Sequence, residues 1–564
     1  MPVTVNLAAA LRTLRRLEFF NGRFMLWADS VCINQADLEE RNSQVATMRD
    51  LYTSSWTTIA FLGTAADNSD KALALLKTLA IYEQNNTTNH LKNILQDNPA
   101  YLGGQGEWLA LQAFLQRSYW SRLWIVQEVA LAPSSMLMFA GDDYITWRQV
   151  QDALTSIHTC LWYVKDLCLK HDRAMLHTAQ GRTDGEVSGV WDTANLHHVD
   201  KGLARLSRKV RKEAISYGEL LEVACATTCA EPLDKIYGVL AFMRPVIRSQ
   251  IVVDYRLQPS QLFSQVAQLF ITHDKALELL YNGNSWNKTN TPSWAPDWTW
   301  EHHSRDTLSP TLPYQADGGI PAQVSFSPDG RILQVRGVIV DTVRGPVGDD
   351  IVRTPNEIDI YRSAYGSFHP TRSALYHTLI GGRLGFLGER KALENSEMQI
   401  FNLPKCTAVA LKGFRKKGWA EFSIQGQRYE EWENWRQTND GIDLGKLGYV
   451  GDFFSNTIPA DGSEELLWTD FVRFRNVASG RKFVTTDGGR FGWAPASTTD
   501  EEHMGVQGGD LFCLVFGCKL PLVIRRVGQN YCVIGAGYLQ GYMDGNILTE
   551  LQTGQRAAEE LLFI

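Results

Sequence analysis

The most informative pattern of apolar and polar residues lies between Phe24 and Gly63. Residues Phe24 to Ile33 are apolar except for Asp29 and Ser30, which is the pattern of a parallel strand buried on both faces. Ligands bind at the carboxyl ends of such strands. The pattern therefore predicts a buried strand over Phe24–Ile33 and makes Asp29 a candidate site residue.

A helix is predicted directly after this strand. Asp37 followed by Glu40 has the spacing of an N-cap and its capping-box partner. Apolar side chains then recur at three- and four-residue steps from Val45 to Tyr52, as on one face of a helix. Thr57–Leu62 supplies a second apolar strand, which Gly63 ends. A strand, a helix and a strand in this order predict a βαβ crossover and a parallel sheet.

Similar patterns extend along the first half of the chain. Helices are predicted from Val5 to Leu17 and from Ala72 to Tyr82, and a further apolar helix contains Glu128. Met136–Ala140 is predicted as another strand. Cys32 lies between apolar neighbours and is predicted to belong to the core.

Beyond about residue 310 the apolar residues recur with a period of two. Short strands separated by glycine-containing turns are predicted, over Ile332–Val343, Phe471–Val477, Lys482–Thr486, Leu511–Phe516, Leu520–Arg525 and Tyr531–Ala536. This change of period predicts three regions: residues 1–150 form an α/β core, residues 151–308 a helical extension, and residues 309–564 an α+β domain rich in antiparallel strands.

Composition excludes several classes of protein. A net charge of -7 argues against a general nucleic-acid-binding protein, because affinity for phosphate depends on clustered Lys and Arg. Nine Cys residues at irregular positions do not resemble a disulfide framework or a zinc site. The sequence has no apolar run long enough to span a membrane and no signal peptide. A cytoplasmic protein without metal or membrane partner is predicted.

Several ordered blocks resemble the fungal heterokaryon-incompatibility (HET) domain. The signature of that family is similar to LWADSVCINQ, EERNSQVATMRDLY and AFLG, which lie between Leu26 and Gly63. Arg117–Ala132 and Glu231–Leu240 resemble its second and third blocks, and Asp254-Tyr255 and Pro292–Trp298 resemble later elements. HET domains have a strand before the helix that starts at Val5, so the first strand of the family is expected to be missing here.

The resemblance also implies a fold. HET domains are similar to the Toll/interleukin-1 receptor (TIR) fold, so the implied class is α/β: a TIR/flavodoxin-like parallel sheet with flanking helices, elaborated by helical insertions, plus a C-terminal mostly antiparallel β domain. In the third block the family has Arg where this sequence has Leu233. The resemblance therefore gives no support here to a pairing of that Arg with a carboxylate.

In TIR enzymes that cleave NAD, a Glu contacts the ribose next to nicotinamide, and its position is similar to that of Glu128. Trp124 lies four residues earlier and hence on the same helix face. An aromatic ring and a carboxylate could then meet one ligand, the carboxylate stabilising an oxocarbenium-like ribose. The resemblance thus implies that Glu128 is catalytic and that Trp124 binds the substrate.

Each of these residues also has a structural interpretation. Glu128 could pair with Arg122 or Arg41, since a buried carboxylate needs a partner. Asp29 could bind ribose hydroxyls or cap the turn at Asn34. Arg41 could contact a phosphate or the cluster of Glu40 and Asp37. Trp124 could be a packing residue.

Two hypotheses about function follow from the resemblance. In the first, the chain is a signalling protein of fungal non-self recognition: partner proteins or self-association bring its HET domain together, and growth arrest or cell death follows through contacts alone. In the second, it is a TIR-like NAD glycohydrolase that cleaves the nicotinamide–ribose bond. The first needs no cofactor, and in the second NAD is the substrate.

Overall fold

A computed structural model of the chain describes residues 3–17, 25–97, 105–133, 135–158, 198–210, 213, 215–282, 290–299, 314–346, 361–382, 398–417, 429–458, 464–497 and 505–564. The chain divides into two compact units. The first unit comprises Met1–Gln258 and Trp298–Glu301, and the second comprises Pro259–Asp297 and His302–Ile564. The domain boundary predicted between residues 308 and 309 lies outside the described residues.

Helices make up most of the described part of the first unit. They are α1 (Val5–Arg16), α2 (Asp29–Cys32), α3 (Leu38–Ser54), α4 (Ser69–Gln84), α5 (Thr88–Asp97), α6 (Gln105–Leu115), α7 (Ile125–Ala130), α8 (147–158), α9 (Arg205–Lys209), α10 (Tyr217–Cys225), α11 (Asp234–Tyr237) and α12 (Pro245–Arg248). The helices predicted from Val5 and from Ala72 are confirmed.

A small mixed sheet lies among these helices. It consists of β1 (Ile59–Phe61), β2 (Leu137–Ala140) and β3 (Asp143–Thr146) in that order. Strand β1 runs parallel to β2, and β3 is antiparallel to β2. Ala60 and Met138 are buried. The two strands predicted over Thr57–Leu62 and Met136–Ala140 are confirmed, and the α/β class is confirmed at this level.

The strand predicted over Phe24–Ile33 is wrong. Residues 25–28 join no sheet in the described part of the chain, and α2 follows as a single helical turn. Met25 is fully exposed and Cys32 is exposed as well, so the assignment of Cys32 to the core is also wrong. An extended apolar segment becomes a strand only where a neighbouring strand accepts and donates its backbone hydrogen bonds. The parallel pair therefore joins β1 to β2 instead, with α4 to α7 between them.

Helix α3 forms as the sequence predicts. The carboxylate of Asp37 accepts hydrogen bonds from the backbone N–H groups of Glu39 and Glu40 at 3.0 and 3.2 Å, which satisfies two donors that the helix leaves unpaired. The Glu40 side chain accepts from the backbone N–H of Asn34 at 3.0 Å. The N-cap is confirmed, but Glu40 orders the preceding turn and does not complete the capping box.

The described part of the second unit contains a nine-stranded sheet. Its strands are β4 (Val324–Phe326), β5 (Leu333–Pro346), β6 (Arg481–Thr486), β7 (Phe491–Pro495), β8 (Leu511–Val515), β9 (Leu522–Val527), β10 (Asn530–Ala536), β11 (Tyr538–Leu539) and β12 (Glu559–Phe563). All pairings except β10–β12 are antiparallel. The long strand β5 pairs with both β12 and β8, so β5, β12, β10, β9 and β8 close a ring.

Helices also belong to the second unit: α13 (Pro259–Asp274), α14 (Phe368–Leu379), α15 (Thr407–Lys416), α16 (Glu430–Asn439), α17 (Glu464–Ala478) and α18 (Ile547–Gln552). The strand predicted over Phe471–Val477 is wrong, because this segment lies within α17. The buried apolar side chains of α17 include Leu467, Phe471, Phe474 and Val477, a spacing of three and four residues that is typical of a helix.

None of the helices in the described ranges is both long and apolar enough to cross a bilayer.

Asp470 joins three helical segments in the interior of the second unit. It lies on α17 and is 3% exposed. Its carboxylate accepts hydrogen bonds from the Tyr376 hydroxyl at 3.0 and 3.1 Å and from the backbone N–H of Ile400 at 3.3 Å. Burial raises the pKa of Asp470 to about 6, although these hydrogen bonds and the Arg473 guanidinium oppose the increase.

The Asp470→Asn substitution is expected to change how the stability of this unit depends on pH. Because the pKa in the folded protein is raised above the unfolded value, the contribution of Asp470 is full below about pH 4 and is lost as the pH rises through about 6. The stability of the variant relative to wild type should therefore increase by about 2 kcal/mol between pH 4 and pH 8. Urea unfolding at several pH values measures this, and parallel stability curves would contradict it.

Candidate functional site

The second sequence block places two of the predicted site residues at a short helix. Trp124 is the N-cap of α7 and Glu128 lies on its fourth position. The chain before α7 is held by Thr228, whose carbonyl accepts from the N–H of Leu123 at 2.9 Å and whose N–H donates to the carbonyl of Ser121 at 2.6 Å. Backbone pairing to a distant segment therefore fixes the position of Trp124 and Glu128.

Glu128 belongs to a group of side chains from four segments, which we call the Glu128 cluster: Asp29, Tyr52, Tyr119, Arg122 and Glu128. The Tyr119 hydroxyl donates to the Glu128 carboxylate at 3.3 Å. Tyr119 is buried, Glu128 and Tyr52 are half-buried, and Asp29 and Arg122 are exposed. The cluster therefore extends from the interior of the first unit to its surface.

Burial dominates the electrostatics of the Glu128 cluster. It raises the pKa of Glu128, the Asp29 charge raises it further, and the Arg122 guanidinium opposes both. Burial and the nearby Glu128 charge also raise the pKa values of Tyr119 and Tyr52 well above the ordinary range. The raised pKa favours the protonated form of the Glu128 carboxyl more than in an exposed Glu.

A second group surrounds Asp234 on α11, and we call it the Asp234 cluster: Arg41, Trp124, Asp234 and Tyr255. One Asp234 oxygen accepts from the Trp124 indole N–H at 3.1 Å, and the other accepts from the Tyr255 hydroxyl at 2.5 Å. The Arg41 guanidinium lies 3.9 Å from the Asp234 carboxylate and 3.5 Å from the centre of the Tyr255 ring. Asp234 is thus the common acceptor of the cluster.

Burial raises the pKa of Asp234, while the hydrogen bonds from Tyr255 and Trp124 and the charge of Arg41 hold it down. Buried carboxylates are tolerated where donors and a cation offset the lost hydration. The same burial, together with the Asp234 charge, raises the pKa of Tyr255, so its hydroxyl stays protonated and donates.

The structure separates the four predicted site residues into two pairs. The Asp29 charge raises the Glu128 pKa, whereas Trp124 and Arg41 both contact Asp234. Arg41 therefore pairs with Asp234 and not with Glu128, and Arg122 is the guanidinium that acts on Glu128. The Asp29 carboxylate also accepts from the N–H of Ser30 at 2.6 Å, at the start of α2 and not at the Asn34 turn.

Sequence reasoning did not single out Asp234. The segment EPLDKIYG could have indicated it, because the carboxylate of Asp234 lies two residues after Pro232 among apolar residues. Leu233 is 1% exposed and fills the core where the family has Arg. The next residue after Asp234, Lys235, is buried and donates to the carbonyls of Ala224 and Thr227 at 2.8 and 2.5 Å, which satisfies carbonyl groups at the end of α10.

Across the described ranges, no group of His, Cys, Asp and Glu side chains is arranged to hold a metal ion.

Comparison with known proteins shows what the chain is similar to. Residues 1–128 match the family described as heterokaryon incompatibility protein (HET). The chain is also similar to heterokaryon incompatibility protein 6, OR allele, of Neurospora crassa, with 25% identity over 97% of this chain and 85% of that protein. No solved structure matches the chain.

The residues 1–128 that match the family include Asp29, Arg41, Trp124 and Glu128, whereas Asp234 and Tyr255 lie beyond the match but within the same compact unit. The similarity to the Neurospora protein extends through both units. Residues 1–128 are therefore similar to a HET domain.

Proposed function

We propose that this chain is a cytoplasmic signalling component of fungal non-self recognition. In this proposal protein partners, or a second copy of the chain, bring its HET domain together, and growth arrest or cell death follows. The observation that carries the proposal is the similarity to a heterokaryon incompatibility protein over 97% of the chain. If the two proteins shared only the HET domain, their similarity would be limited to the N-terminal residues.

The proposal includes a finer description of the fold. The HET core is taken as residues 1–150, with a TIR/flavodoxin-like parallel sheet, followed by the helical extension 151–308 and the C-terminal domain 309–564. The parallel pairing of β1 and β2, with helices in the connection, supports a TIR-like core.

The proposal is tested by inducible expression of the full chain in a filamentous fungus, alone and in heterokaryons with strains of different incompatibility genotype. Radial growth is expected to stop in incompatible pairs, and hyphal compartments should take up a dye that intact cells exclude. Trp56→Ala, at an exposed position of the first unit, is the control that should behave as wild type. Unchanged growth in every pairing, with the protein present at normal level, would contradict the proposal.

NAD cleavage is the alternative, and the comparisons give it no support. It assigns catalysis to Glu128 and contacts with NAD to Asp29, Trp124 and Arg41. The raised pKa of Glu128 is compatible with proton exchange, but the Trp124 indole N–H is already bound to Asp234. Signalling through contacts alone requires no cofactor.

The Glu128→Gln variant separates the two hypotheses, because glutamine keeps the shape and an acceptor for Tyr119. If contacts alone carry the signal, purified wild type and variant release no nicotinamide from NAD, and both arrest growth. Nicotinamide release by wild type that the variant loses, together with loss of growth arrest, would establish the alternative.

A further inference from the structure

One segment of the first unit, outside the family match, contacts Arg41 directly and Trp124 through Asp234. It comprises residues 254–258, which have no regular secondary structure, and we call it the strap. The backbone before it is fixed: Val253 is 7% exposed, and the Tyr237 hydroxyl is 3.1 Å from both the N–H and the carbonyl of Asp254. The strap therefore has a firm point of attachment at its N-terminal end.

The strap covers the first part of α3. The Tyr255 ring lies against the Arg41 guanidinium at 3.5 Å, and the Tyr255 N–H donates to the Asn42 side chain at 3.2 Å. The Arg256 guanidinium pairs with the Glu39 carboxylate at the rim. Three neighbouring contacts thus join the strap to a helix that is distant in the chain.

The strap also reaches Trp124 through Asp234. Tyr255 donates to one oxygen of the Asp234 carboxylate while Trp124 donates to the other. Arg41 and Trp124 are therefore both engaged when the strap is in place. Movement of Tyr255 would uncover the guanidinium face and remove one of the donors that hold Asp234.

Polar and electrostatic contacts hold the strap, together with the Tyr255 ring, which packs against the Tyr237 ring. Glu39 and Arg256 are 78% and 58% exposed, and ion pairs at such positions contribute little to stability. Burial raises the pKa of Asp234 despite its hydrogen bonds, so the central contact carries a desolvation cost that apolar packing would avoid. Movement of the strap would break these contacts together, because they all join the strap to α3 or to α11. Such a set of contacts is compatible with reversible closure of the strap.

We propose that the strap is an autoinhibitory contact: residues 254–258 cover Arg41 and, through Asp234, restrain Trp124 until a partner displaces them. This inference rests on the proposed signalling function. Release would uncover the face of the Arg41 guanidinium that the Tyr255 ring covers, so a protein partner that presents a carboxylate fits it.

The test uses the full chain with Asn42→Ala and Tyr255→Phe combined. This double variant removes the acceptor for the strap backbone and the hydroxyl bound to Asp234, but it keeps the ring that packs against Tyr237 and Arg41. Hydrogen exchange of the strap amides is expected to be at least about tenfold faster than in wild type, because a hydrogen bond to a charged group is lost. Growth arrest should then occur at an expression level at which wild type is silent.

Two further variants keep the test decisive. Arg256→Glu places a like charge beside Glu39 at the exposed rim and leaves the interior intact, so it should loosen the strap even if the double variant does not fold. Asp142→Asn removes the exposed ion pair with Arg16 elsewhere in the unit and should leave growth arrest unchanged.

The outcomes distinguish failure of the strap from failure of the function. If wild type arrests growth at high expression and the loosened variants need the same or a higher level, the strap is not autoinhibitory. Unchanged amide exchange in the strap of both variants would also overturn the inference. If no variant and no level of wild type arrests growth, the signalling function itself fails.

Discussion

Replacing Arg436 by leucine is expected to lower the free energy of unfolding of the second unit by about 3–5 kcal/mol. Arg436 lies on α16 and is 1% exposed. Its guanidinium binds the Asp440 carboxylate through two nitrogens, at 2.5 and 3.2 Å, and also donates to the Asn456 side chain at 3.1 Å. It lies 3.8 Å from the centre of the Phe454 ring.

The loss is large because leucine would leave Asp440 with Lys405, at 3.0 Å, as its remaining charged partner. A carboxylate that is mostly buried and loses a bidentate partner keeps its desolvation cost without the compensating hydrogen bonds. Urea unfolding, with hydrogen exchange of the α16 amides to identify the unit affected, measures the change.

Glu431→Gln is the matched control, since Glu431 lies on the same helix and is 52% exposed in its pair with Arg475. Its effect should stay below about 1 kcal/mol. The double variant Arg436→Leu with Asp440→Leu should recover part of the loss, because the mostly buried carboxylate that lost its bidentate partner is then removed. An effect of Arg436→Leu no larger than that of the control would show that the pair contributes nothing measurable.

Replacing Trp120 by alanine is the second large change, with an expected loss of about 3–5 kcal/mol in the first unit. Trp120 is 2% exposed, and its indole N–H donates to the carbonyl of Phe114 at 3.0 Å. Its ring contacts those of Tyr119, Phe114 and Trp147 at centroid distances of 5.4, 6.0 and 6.4 Å. Alanine would leave a cavity among three aromatic rings. It would also remove the indole N–H that donates a hydrogen bond to the Phe114 carbonyl.

Thermal and urea unfolding followed by circular dichroism measure this loss, and growth arrest should disappear with it. Trp56→Ala removes the same side chain at a position that is 73% exposed, so it should change stability by less than about 1 kcal/mol. Equal stability of the two variants would mean that Trp120 does not anchor this core.

Local patterns predicted the elements that depend on neighbours in sequence. Helix α3 begins after Asp37 because a nearby carboxylate caps it, and β1 ends before Gly63, which adopts a positive φ of 112°. The strands of the second unit follow from alternation of apolar residues, and most were placed close to their observed ends. The wrong predictions concern segments whose pattern of apolar residues is compatible with both a strand and another structure.

Phe24–Ile33 and Phe471–Val477 show why such errors occur. The first is apolar, as a buried strand is, but the described part of the chain provides it with no pairing strand. The second alternates enough to resemble a strand, yet Leu467, one helical turn earlier, completes a helical stripe that packs into the interior. Which structure forms depends on the surface that the rest of the fold presents.

The sequence by itself determined the HET resemblance, the α/β class and the residues worth testing, because these depend on composition, order and local spacing. Only the tertiary structure decided how those residues are grouped. Asp234 lies 110 positions from Trp124. The periodicity of the sequence cannot predict that the Asp234 carboxylate contacts an indole, a hydroxyl and a guanidinium from three other segments. Folding sets these contacts, because burying a charge requires donors to arrive from wherever the chain can bring them.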